Sequence, residues 1–345
     1  MTVSEERTQR LPRDLVLITL TTSVLVLLAF TAYKLLRFPA HTLVGDYFRR
    51  GYTSANFMVS TLAEAAGGWA LSAVLVWSLT RNFLDKYGAA GLSSLSTVRN
   101  AFAAVYAVLS CGYTYKAHFF LASLIEYRLE KLGHPCDFKA NCSRDVWTGL
   151  DWTGLVLIVL VAFWVAILLG RSRDGVVPSE TVNNPAPSSS RLTVALVCSV
   201  FFASLELWLI AASHRLTLFQ YGGHVSLVWL WIVTPLALFA LAFWGAWLAA
   251  TRTVQVQPFR AMTAALLTHV LLQGIAFAIA WGVVVPIGGF FGMSPYDNDT
   301  AAAVTIGLLY LILLLPLMFG ITRWLYRSLR TAVPDSVEKA VVWPS

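Results

Sequence analysis

Residues 149–169 read GLDWTGLVLIVLVAFWVAILL, a run in which Asp151 is the one charged residue. A helix needs about 20 apolar residues to cross a hydrocarbon core of about 30 Å, where no water can bond the backbone. This stretch meets that requirement and decides the fold class. Seven others resemble it, at approximately residues 15–36, 57–79, 101–125, 192–212, 225–249, 261–285 and 301–321. The expectation is an all-α, polytopic membrane helical bundle with eight transmembrane helices. The single transmembrane domain would occupy residues 15–330, between a cytoplasmic segment at 1–14 and a cytoplasmic tail at 331–345.

Composition agrees with this reading. Of 345 residues, 57% are hydrophobic and 12% charged, about half the charged share of an ordinary soluble chain. Soluble, disordered and collagen-like classes are excluded, and four cysteines are too few for a disulfide scaffold. The net charge of +7 is spread around the ends of apolar runs and sets topology, so no nucleic-acid partner follows. The first apolar run is too long for the core of a signal peptide and reads as a membrane helix.

Orientation follows from Lys and Arg, which favour the segments placed inside when the N-terminus is cytoplasmic. That arrangement puts HPCDFKANCS, residues 134–143, on the outside, where Cys136 and Cys142 are expected to close a small disulfide in an oxidising lumen. Asn141-Cys-Ser143 and Asn298-Asp-Thr300 fit the glycosylation sequon on the same side. A membrane of the endoplasmic reticulum or another secretory compartment is implied. The segment RSRDGVVPSETVNNPAPSSS, residues 171–190, reads as a flexible cytoplasmic linker. Cys111 and Cys198 fall within helices and read as buried, inert thiols.

Function is sought in ionisable residues inside the spans, each costing about 2.5 to 3.5 kcal/mol at a helix centre. Glu64, Lys116, His118, Glu206 and His269 stand out, with Gln273 one turn beyond His269. At about 1.5 Å per residue, the first four lie between about 10 and 15 Å below the outer face. His269 and Gln273 are deeper. One polar layer in the outer half of the membrane is expected, lining a cavity. Glu64 with Lys116 also reads as a buried structural ion pair. A second carboxyl, Glu206, then remains for proton transfer. Asp151 reads as a solvated helix end. Trp69, Tyr113, Tyr115 and Trp208 bring aromatic faces near the layer, and such faces attract cations. Nothing in the spacing of Glu64, His118, Glu206 and His269 favours a metal site, because no two of them stand at i and i+3 or i+4 on one helix, and no cofactor is expected.

With eight apolar spans, no soluble domain, and acids at Glu64 and Glu206, the chain resembles the fungal membrane-bound terpene cyclases of the ascofuranone and ascochlorin type. The resemblance implies acid-initiated cyclisation of a prenyl-chain epoxide or alkene in meroterpenoid biosynthesis, with a lipophilic prenylated aromatic as substrate. Glu64 or Glu206 would protonate the substrate, and His118 or His269 would remove the final proton. The alternative reading is a multi-pass exporter of a lipophilic metabolite, with Glu64, Lys116 and Glu206 as its relay.

Overall fold

The computed structural model describes residues 3–38, 41–42, 45–46, 49–50, 53, 55–87, 92–133, 141–171, 187–221, 232–251 and 256–329. Among these the chain is helical almost throughout. Helices α1 (Val3–Arg37), α2 (Ala55–Tyr87) and α3 (Leu95–Gly112) lead into a π-helical segment, Tyr113–Ala117, and α4 (His118–Lys131). There follow α5 (Asn141–Gly170), α6 (Pro187–Tyr221), α7 (Thr234–Ala249) and α8 (Pro258–Ile279). A second π segment, Ala280–Val284, precedes α9 (Val285–Phe290) and α10 (Pro295–Leu325).

Among the described residues six helices are long and apolar enough to cross a membrane: Arg10–Arg37, Thr61–Tyr87, Gly149–Gly170, Ser190–Ile210, Pro258–Phe290 and Thr300–Leu325. They coincide with six of the eight expected spans. The expected span at 101–125 is helical over its whole length, but Tyr113, Thr114, Tyr115, Lys116 and His118 interrupt its apolar run. Of the span expected at 225–249, the described part contains the 16-residue α7, shorter than a hydrocarbon core requires. Large apolar side chains such as Leu28, Leu36, Val108, Leu168 and Ile312 point outward. A water-soluble fold would bury such groups, whereas lipid receives them.

The chain divides into two compact units. The first is Met1–Val182 with Ala203–Ala237, and the second is Asn183–Phe202 with Leu238–Ser345. The boundary passes through α6, so the two halves of one helix belong to different cores.

In the first unit α3 packs most extensively on α5. Ser94 caps α3, accepting from the Thr97 N–H at 3.2 Å, and a stripe of Val98, Phe102, Tyr106 and Ser110 at i, i+4 spacing is buried. Val159, Ala162, Phe163 and Ala166 of α5 are buried as well. The Tyr106 hydroxyl pairs with Ser23 Oγ of α1 at 2.8 Å, which gives a polar tip in an apolar core its partner. Gly170 ends α5 where a Cβ would lie 2.2 Å from Val98 Cγ2, so only glycine permits that approach. Its carbonyl accepts from the Ser93 N–H at 2.8 Å.

The second unit is held by small residues. Ala242, Ala246, Ala261, Ala264, Ala265 and Ala276 are all buried, letting backbones close where lipid supplies no hydrophobic drive. At Gly245 a Cβ would lie 2.8 Å from the Leu315 carbonyl of α10. Arg260 donates to the Leu325 carbonyl and to Ser328 Oγ, both at 2.9 Å, satisfying the C-terminus of α10 with a cation. The Tyr326 hydroxyl donates to the Gln257 carbonyl at 2.7 Å.

Cys136 lies outside the described residues, as do the tail and residues 172–186 of the linker expected at 171–190; the last four residues of that expected linker, Pro187–Ser190, are instead the first turn of α6. Asn141 and Cys142, expected in a loop, open the first turn of α5, and their side chains also lie outside the described set. Cys111, expected to be buried, is exposed, while Cys198 is buried and points its thiol at the Ala261 carbonyl, 3.3 Å away.

Candidate functional site

The first turns of the apolar half of α5, Leu150 to Leu155, assemble much of the first unit's chemistry. Leu150 offers its carbonyl to the Tyr113 hydroxyl at 2.6 Å. Asp151 Oδ1 lies 3.3 Å from His118 Nε2. Trp152 packs against Trp208 of α6 with ring centroids 5.9 Å apart. Gly154 leaves room for the Tyr113 ring, since a Cβ there would come within 2.3 Å of it. Leu155 meets Gly68 of α2. Tyr113 in turn stacks on His118 at 5.4 Å between centroids, so the imidazole is held by a carboxylate on one side and a phenol ring on another.

This arrangement exists because the helix carrying Tyr113 and His118 is not regular. The His118 N–H bonds the Tyr113 carbonyl, an i to i+5 closure. One extra residue in a turn rotates everything downstream by about 100° relative to an unbroken α-helix. Tyr113 and His118 thereby face α5. Lys116, expected in the buried layer, instead lies exposed beside Tyr115, which is 49% exposed. Asp151, expected as a solvated helix end, is half-exposed, but it lies within α5 rather than at its end and stands beside His118.

Glu206 is 2% exposed on α6. Its neighbour Leu207 seats on Gly67 of α2, where a Cβ would lie 3.2 Å from Leu207 Cβ. Two small residues, Gly67 and Gly68, thus let α2 come close to both α5 and α6. Glu206 and Trp208 are two positions apart, about 200° around the helix, and flank the Leu207 ridge. The Trp208 indole nitrogen is buried with no acceptor among the described residues. Glu64 and Trp69 of α2 are half-buried.

His269 and Gln273 belong to the second unit and have partners there. His269 meets Phe202 edge-on at 6.3 Å, and Gln273 Nε2 donates to the Tyr310 hydroxyl. Asn298, expected as a sequon asparagine in a loop, sits in the first turn of α10. Its side chain is 8% exposed, with Oδ1 against Gly288. The expected disulfide of Cys136 with Cys142 and the sequon at Asn141 fall on side chains outside the described residues.

Two site residues escaped sequence reasoning, Asp151 in its pairing role and Trp152. The signal available for them was DWTG at the mouth of the most apolar run, where an acid, an aromatic and a small residue occupy consecutive faces. The chain matches no family model, no curated protein and no solved structure.

Proposed function

We propose that the protein is a membrane-embedded cyclase that opens an epoxide, or protonates an alkene, on the prenyl chain of a lipophilic aromatic substrate. The observation that carries this reading is Glu206: a carboxyl 2% exposed inside an apolar span, a placement membranes tolerate chiefly for function. In the proposed reaction the Glu206 carboxyl gives its proton to the epoxide oxygen and the C–O bond breaks. The tertiary cation is attacked by a chain double bond, which forms the ring C–C bond. A base then removes one proton from carbon to leave an alkene. One proton enters and one leaves, so the product is an isomer of the substrate. His118, oriented by Asp151 and shielded by Tyr113, is the base in this reading. The Trp208 indole N–H, buried without an acceptor among the described residues, supplies a donor for a substrate oxygen, because such a donor is costly until a ligand fills the role. Glu206 and Trp208 project from different sides of α6, so an extended substrate rather than a compact one would use both. The same reading places both termini in the cytoplasm, the protein in a secretory-pathway membrane and the Cys136 to Cys142 disulfide in its lumen.

The test is turnover in microsomes carrying the expressed protein, supplied with prenylated aromatic epoxides. The expected result is a cyclised product of unchanged mass, lost in Glu206→Gln, which keeps shape and hydrogen bonding but has no acidic proton. Full turnover by Glu206→Gln would overturn the assignment.

A further inference from the structure

The far end of α1 and the first π segment enclose an open groove of about 740 Å³ lined by Tyr33, Arg37, Phe38, Tyr115, Lys116 and Phe120, among others. Its polar floor is organised. The Arg37 guanidinium donates to the Tyr33 hydroxyl at 2.5 Å, and the Tyr33 and Tyr115 hydroxyls lie 3.1 Å apart with their rings edge-on at 5.1 Å between centroids. Arg37 and Lys116 line the same groove, and among the described residues neither forms an ion pair with a carboxylate. Like charges brought together at a membrane boundary repel unless an anion lies between them. Phe38 and Phe120 add apolar lining, and Phe120 is 69% exposed.

The groove also has a defined depth. Arg37 lies in the last turn of a membrane-spanning helix, the level at which aromatic and basic side chains meet lipid head groups. Gly112 and Ala117 line the groove beside Lys116, and Tyr115 of the π segment reaches Tyr33 of α1.

The geometry points to a site for an anionic amphiphile: a phosphate-bearing head held between Arg37 and Lys116 with the tyrosine hydroxyls as further donors, and an acyl or prenyl chain laid along Phe38 and Phe120. This assignment stands independently of the cyclase reading. The head chemistry is shared by a bilayer phospholipid and a free phosphate, and the apolar rim favours the lipid.

The full chain is reconstituted in phosphatidylcholine nanodiscs without and with phosphatidic acid, and the lipid retained after detergent extraction is measured by mass spectrometry. Phosphatidic acid is expected to be retained in preference to phosphatidylcholine by roughly tenfold or more. The Arg37→Gln, Lys116→Gln double variant loses the preference, and Arg37→Lys with Lys116→Arg keeps it. Arg50→Gln serves as the control, because Arg50 is exposed and already paired with Asp46 at 2.7 Å, and it leaves the preference unchanged. No preference in the wild-type protein, or an equal loss in Arg50→Gln, overturns the site. Displacement of the lipid by inorganic phosphate at matching concentration overturns the amphiphile assignment, since the chain would then contribute nothing.

Discussion

His118 Nε2 lies 3.3 Å from Asp151 Oδ1, and this contact ties the helix after the π segment to the mouth of the most apolar span. Asp151 is half-exposed and His118 is mostly covered, so the pair contributes little to stability and much to orientation. Asp151→Asn is expected to cost less than about 1 kcal/mol in unfolding free energy. The same variant should lower turnover in the microsomal assay, because the imidazole loses the group that aligns it. Equal turnover in Asp151→Asn and wild type would remove His118 from the proposed reaction.

A steric prediction concerns two glycines of α5. At Gly154 a Cβ would enter the Tyr113 ring, whereas at Gly149 nothing lies within 4 Å. Gly154→Ala should destabilise by about 1 to 3 kcal/mol through overpacking and should break the Tyr113 to Leu150 hydrogen bond. Gly149→Ala should be neutral or stabilise by up to about 1 kcal/mol. Thermal unfolding of the two purified variants, side by side, checks the difference, and a loss of stability in both would contradict the packing described.

The part-buried Tyr106 to Ser23 contact carries a third prediction. Tyr106→Phe removes the hydroxyl that pairs with Ser23 and is expected to cost about 1 kcal/mol. In the double variant with Ser23→Ala the two losses should not add, because both report the same bond. Additive losses in the thermal midpoint would show that the hydroxyls do not interact.

Asn298 tests accessibility. With its amide buried against Gly288, it is not presented to a glycosyltransferase by the folded chain. Asn298→Gln should therefore leave electrophoretic mobility unchanged, with and without endoglycosidase. A mobility shift removed by the substitution would show that the site is modified before α10 forms.

Topology gives the last prediction. A tag at either terminus should be digested by protease added to sealed microsomes, as expected when both ends are cytoplasmic. Protection of one tag alone would require an odd number of crossings.

Much of the architecture was legible in the amino-acid sequence because one rule governs it: a backbone in hydrocarbon must bond itself, so about 20 apolar residues in a row announce a helix. Residues 149–169 and five further stretches obeyed that rule, and Glu206 was identifiable as an acid in the wrong solvent. The span at 101–125 was less legible, since polar residues in its second half leave it helical without the apolar length of the others. Which residues meet was not legible at all. Hydropathy carries no information on helix rotation, and a π turn at Tyr113–Ala117 shifts every later face by about 100°. The segment after that turn brings His118 to Asp151, while Lys116 lines the same groove as Arg37. The tertiary structure alone decided those placements, as it decided that α6 serves two cores, because they depend on how closely backbones approach at Gly67, Gly154 and Gly170, and a hydropathy pattern does not record distance.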